Sequence, residues 1–234
     1  VIKDYGSSQL FAATPDTGYE VDKWTVDGVE VQTGGTTYTL DNIIAARTVA
    51  VSFKILKYTI SGYCIEPDGI TAVAGVLVQT DGDVNAGTDV NGFYTMQVDY
   101  GWGGIVTPQK EGYIFDPNSD EYTNLSQNYT DANYVAELIT FKIAGCILEQ
   151  DLITPISDVN IIVENGGGLW TTRYGPVGGI TDANGCYEVT VDYNWSGAVT
   201  PAKYAYAFEP NYLQYANITT DHNDQNYVGN LMTF

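Results

Sequence analysis

The chain is short of the side chains that do chemistry. Its 234 residues include one histidine, three cysteines, and nine lysines and arginines together. The lone His222 lies in the polar stretch "TTDHNDQN", and no Gly-x-Ser-x-Gly turn accompanies it, so a serine or cysteine triad lacks a positioned base. Carboxylates are too plentiful for any one pair to stand out as a glycosidase acid and base. With 29 acids the net charge is −20, the wrong sign for the phosphates of nucleic acid or for an anionic membrane surface. No run approaches the roughly 18 apolar residues a spanning helix needs. Cysteine never occurs as C-x-x-C, which excludes the common zinc and thioredoxin patterns. Helical periodicity is missing too; "LDNIIAAR" has room for one turn at most. The expected protein is non-catalytic, without a cofactor and without a membrane insertion.

What the chain does have is a duplication. Residues 58–141 and 141–234 are two versions of one sequence. Tyr58 matches Phe141 at an offset of 83, and Gly92 matches Gly185 at an offset of 93. The second copy therefore carries a ten-residue insertion in or near "NGGGLWTTRYGPVGG". A repeat of this length is a whole small domain. Arrays of like domains extend, stiffen or display.

Each copy reads as six or seven short strands. In the first they fall near 58–65, 74–80, 93–99, 103–108, 112–115 and 133–141, with Gly, Asn-Gly, Asp-Gly and Pro between them. That spacing belongs to a β-sandwich. "TDVNG" and "TDANG" precede the alternating runs "FYTMQV" and "CYEVTV". Gly supplies the positive φ of such a turn. Alternation places Tyr94, Met96 and Val98 on one core face, and Tyr187, Val189 and Val191 on its counterpart. Residues 1–54 are a different unit, with alternating runs such as "YEVDKWTV" and an Asp-Gly hairpin turn in "VDGVEV".

The fold class is thus all-β: two tandem prealbumin/Ig-like sandwiches after a small β-repeat unit. The expected domains are 1–55, 56–140 and 141–234. Joints such as "KILKY" and "LITFKIAG" contain no spacer, so semi-rigid stacking is expected. Phe234 holds the repeat position of Phe141, which leaves room for the array to continue or for a neighbour to dock.

The repeats resemble carboxypeptidase-regulatory-like domains of the prealbumin-like fold, relatives of Cna-type B domains. The resemblance covers residues 58–234 and rests on "ISG" (Ile60–Gly62), "GVLV" (Gly75–Val78) and "TDxNGxY" (Thr88–Tyr94, Thr181–Tyr187). It continues through "GWGGIVTPQKEGYIFDP" (Gly101–Pro117). It implies spacers, stalks or adhesin segments on exported surface proteins. Residues 1–54 resemble a divergent internalin-B-type repeat, carried by "FAATPDTGYEVDKWTVDG" and "YTLDNIIAARTVAVSFK". That unit normally begins with one more strand, expected here to be missing or supplied by another chain. An open sheet edge of this kind would be a template for strand addition, and thus for a filament.

Several candidate sites remain. Asp81, Asp83, Asn85 and Asp89 begin like a Ca²⁺ loop, but the required Gly and final Glu are absent; a plain acidic hairpin loop is the competing reading. Cys146 replaces Tyr63, and Cys186 replaces Phe93. Neighbouring positions joined by a disulfide would give that pattern, and so would two unrelated thiols. Cys64 reads as a buried apolar thiol. Trp102 and Trp195 share one repeat position, and Trp170 lies in the insertion. They could stack on sugars or pack beneath turns. Asn124, Asn128, Asn194 and Asn217 are glycosylation sequons if the chain is exported, or chance in so Asn-rich a sequence. Lys110 and Lys203 are equivalent but lie mid-domain, away from the first strand where a Cna-type isopeptide lysine would sit. Expected partners are copies of the chain or neighbouring surface domains. A polysaccharide partner would fit the alternative reading, an accessory carbohydrate-binding module of a secreted enzyme.

Overall fold

The computed structural model describes residues 3–165 and 178–232, and every regular element in them is a strand. The chain forms two compact units. One comprises Val1–Lys110 with Phe115–Ala136, the other Glu111–Ile114 with Glu137–Phe234.

The first unit opens with β1 (Ser7–Ala12), β2 (Tyr19–Val26), β3 (Val29–Thr33), β4 (Thr37–Ile43) and β5 (Val49–Ile55). β1 pairs with β4, and β2 lies between β3 and β5. Asp27 and Gly28 have φ of 50° and 81°, the left-handed pair that a tight two-residue hairpin requires. The small core here is Val21 and Trp24. The Trp24 ring stacks on Tyr38, and its indole N–H donates to the Gly35 carbonyl at 3.0 Å. The single helical turn anticipated in "LDNIIAAR" does not form. Leu40 to Ile43 stay in β4, paired with β1, and Asn42 takes a positive φ of 50°.

The first repeat copy supplies β6 (Lys57–Ile65), β7 (Leu77–Thr80), β8 (Asn85–Gly87), β9 (Phe93–Asp99), β10 (Gly104–Gln109), β11 (Tyr113–Asp116), β12 (Asp120–Tyr122) and β13 (Tyr134–Leu138). Its sheets run β12-β10-β7-β8 and β11-β13-β6-β9. The second copy supplies β14 (Thr140–Glu149), β15 (Asn160–Asn165), β16 (Gly179–Ile180), β17 (Cys186–Asp192), β18 (Gly197–Ala202), β19 (Tyr206–Glu209), β20 (Leu213–Tyr215) and β21 (Tyr227–Leu231). Its sheets run β20-β18-β15-β16 and β19-β21-β14-β17, the same order strand for strand. β8 and β12 were not separate expectations. A three-residue edge strand is too short to display alternation.

Alternation does place the core. Tyr94, Met96 and Val98 are buried on β9, as are Tyr187, Val189 and Val191 on β17. In the second copy they join Ile143, Ile147, Ile161, Val163 and Val199 from both sheets in one cluster. Tyrosine bridges the sheets: the Tyr227 hydroxyl donates to the Val199 carbonyl at 2.7 Å, and Tyr134 does the same toward Val106. Thr88 and Thr181 are buried polar equivalents. Each hydroxyl donates to a carbonyl (Val73, Ile156) and accepts an amide (Val76, Val159) at 2.8–2.9 Å.

Burial raises the phenols of Tyr94, Tyr134, Tyr187 and Tyr215 well above their ordinary value, and lifts Tyr227 to about 12. In the unfolded chain these groups ionise near pH ~10. A raised native pKa means the unfolded chain releases protons first, so stability is complete below that pH and falls as pH rises through it. The denaturation midpoint is therefore expected to fall steeply between pH ~10 and ~12. Phenolate absorbance of the buried tyrosines should appear together with the loss of tertiary structure, and not before it.

Candidate functional site

The most elaborate local structure is the seam between the first and last strands of each copy. β6 and β13 run parallel, with Tyr134 opposite Cys64 and Val135 opposite Ile65. β14 and β21 repeat this, with Ile147 opposite Tyr227 and Leu148 opposite Val228. The chain therefore enters each copy at one end of the sheet and leaves at the other.

Below the parallel ladder, the returning segment stays on the first strand. In the first copy the Tyr129 amide donates to the Thr59 carbonyl at 2.8 Å, and the Ser61 amide to the Tyr129 carbonyl at 2.8 Å. Where the returning backbone offers no carbonyl, side chains take its place. The Thr59 amide donates to Asn128 Oδ1 at 2.9 Å, and the Tyr63 amide to Asn133 Oδ1 at 2.8 Å. The second copy reproduces each bond. The His222 amide donates to the Lys142 carbonyl, and the Ala144 amide to the His222 carbonyl. The Lys142 amide donates to Asp221 Oδ1 at 2.9 Å, and the Cys146 amide to Asn226 Oδ1 at 2.7 Å.

A glycine and a tyrosine fix how closely the segment approaches. A Cβ on Gly62 would stand 1.9 Å from the Ala132 carbonyl oxygen, and one on Gly145 would stand 2.1 Å from that of Gln225. Only glycine leaves room there. That same carbonyl oxygen accepts the Tyr94 hydroxyl at 2.6 Å, and its counterpart accepts Tyr187 at 2.6 Å. Lysine braces each copy elsewhere: Lys110 Nζ donates to the Ala74 carbonyl at 2.6 Å, and Lys203 Nζ to that of Ser157. The equivalent lysines act as backbone clamps.

Cys146 and Cys186 face each other across β14 and β17 and are joined by a disulfide, with Cα atoms 3.9 Å apart. The same register in the first copy opposes Tyr63 and Phe93, whose ring centroids lie 5.1 Å apart. Cys64 is buried, and that burial pushes its thiol up to about 12, far from a reactive thiolate. Asp89 Oδ1 accepts the Asn91 and Phe93 amides at 2.8 and 2.9 Å, and Asp182 does the same for Asn184 and Cys186. Among the described residues, no three His, Cys, Asp or Glu side chains come together to hold a metal ion; Asp81 and Asp83 lie in the turn between β7 and β8, Asn85 opens β8, and Asp89 lies in the turn before β9.

Trp195 is buried, and its ring packs on Tyr215 at 6.0–6.1 Å, as Trp102 does on Tyr122. Trp170 and Phe234 lie outside the described residues. Asn124, Asn128, Asn194 and Asn217 are all exposed. His222 packs edge-on against Tyr215 at 5.3 Å. The acceptor roles of Asn128, Asn133, Asp221 and Asn226 were missed in the sequence. The available signal was their recurrence at the offset of the C-terminal half of the repeat.

No protein-family model matches the chain, and no curated protein matches it in sequence. Among solved structures, the Bacillus anthracis TIE protein is similar at a TM-score of 0.59 and 10% identity, over 96% of this chain and 50% of that one. The chain thus spans about half the length of that protein. The minor pilin GBS52 of Streptococcus agalactiae aligns at a TM-score of 0.34 and 12% identity, over 76% of this chain and 98% of the pilin. The shaft pilin SpaA of Lactobacillus rhamnosus GG aligns at 0.34 and 7%, with the same coverage of 76% and 98%. The first likeness is one of fold; the two pilins superpose only loosely.

The seam makes a sharp mutational contrast. Gly62→Ala should destabilise the first copy by about 2–3 kcal/mol, because the new methyl meets backbone that cannot move away. Tyr94→Phe should cost about 1–2 kcal/mol by leaving the Ala132 carbonyl short of its donor. Gly87→Ala, where a Cβ meets nothing within 4 Å, should change stability by less than about 0.5 kcal/mol. Urea denaturation of the three variants measures all of these.

Proposed function

We propose that the chain is a load-bearing segment of an extracellular surface protein, part of a stalk, adhesin or filament that works by shape and by contact with its neighbours. One observation carries this reading: the parallel seam that closes each copy. Tension on Lys57 and Leu138 pulls β6 and β13 past each other along their length. Every seam bond is then loaded at once instead of one after another. A single hydrogen bond contributes only about 1 kcal/mol net, so sharing the load is what gives such a joint strength. Entry and exit at opposite ends also let copies follow one another without a reversing loop.

The organisation proposed is three domains, 1–55, 56–140 and 141–234, with copies of the chain or neighbouring surface domains as partners. What the duplication preserved bond for bond is framework: the Tyr locks, the Asn and Asp acceptors, the Lys clamps and the buried threonines. An exported setting suits the disulfide, which persists where the surroundings are oxidising. Among the described residues no geometry favours the sugar-binding alternative, since Trp195 is only 3% exposed and Trp102 packs on Tyr122 of β12.

Single-molecule pulling tests the reading. Traction through Lys57 and Leu138 should unfold the first copy at a force severalfold above traction through Lys57 and Asp99. Those two residues face each other at one end of an antiparallel ladder, which opens like a zipper. Equal forces in the two geometries would remove the mechanical reading. The second copy should lengthen by about 140 Å more under reducing conditions, from the sequence separation of 40 between its joined cysteines at roughly 3.5 Å per residue.

A further inference from the structure

The two copies differ sharply at one place beside the seam. In the first copy, β12 and the returning segment enclose a groove of about 450 Å³. Asp120, Glu121, Tyr122, Asn128, Tyr129 and Asp131 form its walls, with Ala132 behind them. The Tyr122 and Tyr129 rings meet edge-on, with centroids 5.2 Å apart. No lysine or arginine lines the groove, and no ion pair among the described residues involves its three carboxylates. Asp120 is half-buried beside the Tyr134 hydroxyl. Burial first, then the Asp120 charge, lifts the Tyr122 phenol to about 12.

The second copy fills the equivalent place with its own side chain. Gln225 stands where Ala132 does, and its Oε1 accepts the Tyr215 hydroxyl at 2.9 Å. Its Nε2 donates to the Asn223 carbonyl at 2.7 Å. The ring pair is kept, with His222 edge-on to Tyr215 at 5.3 Å. The charge of the lining changes along with the filling: Asp120 and Glu121 of the open groove become Leu213 and Gln214, Asn128 becomes Asp221, and Asp131 is kept as Asp224. So the copy with a polar occupant of its own has two carboxylates at these positions, and the copy with room for a guest has three.

We propose that this groove binds a primary alkylammonium group, such as the head of a lysine side chain, in the place that the Gln225 carboxamide holds in the second copy. Three uncompensated carboxylates attract a cation, and the faces of Tyr122 and Tyr129 add cation–π attraction. An N–H donor also reproduces the hydrogen bond that Gln225 Nε2 makes to the backbone. A bare metal ion suits the groove less well, because its carboxylates do not come together. A neutral sugar would leave the negative charge of the lining unbalanced.

The full chain, isotopically labelled, should be titrated with Nα-acetyl-lysine methylamide, with n-butylammonium chloride and with maltotriose, and followed by NMR. Both amines should shift the amides of residues 120–132 saturably and leave those of 213–225 unmoved. Tighter binding of the lysine derivative would point to a polypeptide as the source, and equal binding to a free amine. Asp120→Asn should weaken binding at least about tenfold. Ala132→Gln, which copies the filled groove, should abolish it. Should that variant misfold, Tyr129→Ala, whose ring is 44% exposed, removes one aromatic face and should weaken binding severalfold. The proposal is overturned if neither amine gives a saturable shift, if Ala132→Gln binds as well as the parent, or if maltotriose alone moves these amides.

Discussion

Each sandwich depends on one contact: the carbonyl of Ala132, or of Gln225, laid directly over a glycine in the first strand. That contact sets how far the last segment can descend and at which residue it stops. Its geometry fixes the register of Tyr134 against Cys64, and of Tyr227 against Ile147. Because side chains alternate with period two, a slip of one residue would turn Tyr134 and Ala136 out of the core. The tyrosine hydroxyl below the carbonyl makes the approach favourable as well as possible. Without it, a backbone oxygen would be buried against a strand that offers it no donor.

The duplication separates what the seam requires from what it merely tolerates. Glycine, tyrosine, and an Oδ acceptor at each of two places recur in both copies. Neighbouring solutions vary freely. An aromatic pair at Tyr63 and Phe93 becomes a disulfide at the same register. The ion pair between Lys57 and Asp99, 2.6 Å long, has no counterpart where Thr140 replaces the lysine. Both partners of that pair are about half exposed, and such surface pairs contribute little. Staples at this edge are therefore interchangeable, while the close backbone approach is not.

Much of this was legible in advance. The duplication, the two core faces and the Asp-x-Asn-Gly turns follow from period, offset and turn chemistry. The Asp27–Gly28 hairpin could be read from two residues. The three-residue strands could not, since a strand that short carries no pattern. Cys146 and Cys186 could be seen to have replaced an aromatic pair, but only coordinates place them opposite each other. Gly62 was visible as part of "ISG", yet its reason lies about seventy residues away, at Ala132. Asn128 illustrates the difficulty: as a sequon it suggests a sugar, whereas its side-chain oxygen closes the seam on the Thr59 amide. Side chains that stand in for backbone acceptors leave no local signature.

The open groove and the seam share residues. Asn128, Tyr129 and Ala132 line the first and build the second. A guest in the groove would therefore hold the segment that must move when the seam shears. Anything that binds the folded state and not the unfolded chain stabilises it by mass action. In the second copy Gln225 acts as a permanent guest, tying Tyr215 and Asn223 to the same segment. The two copies thus represent one joint in two conditions, braced from within and open to bracing from outside. The more acidic of the two is the one whose bracing has to arrive with a positive charge.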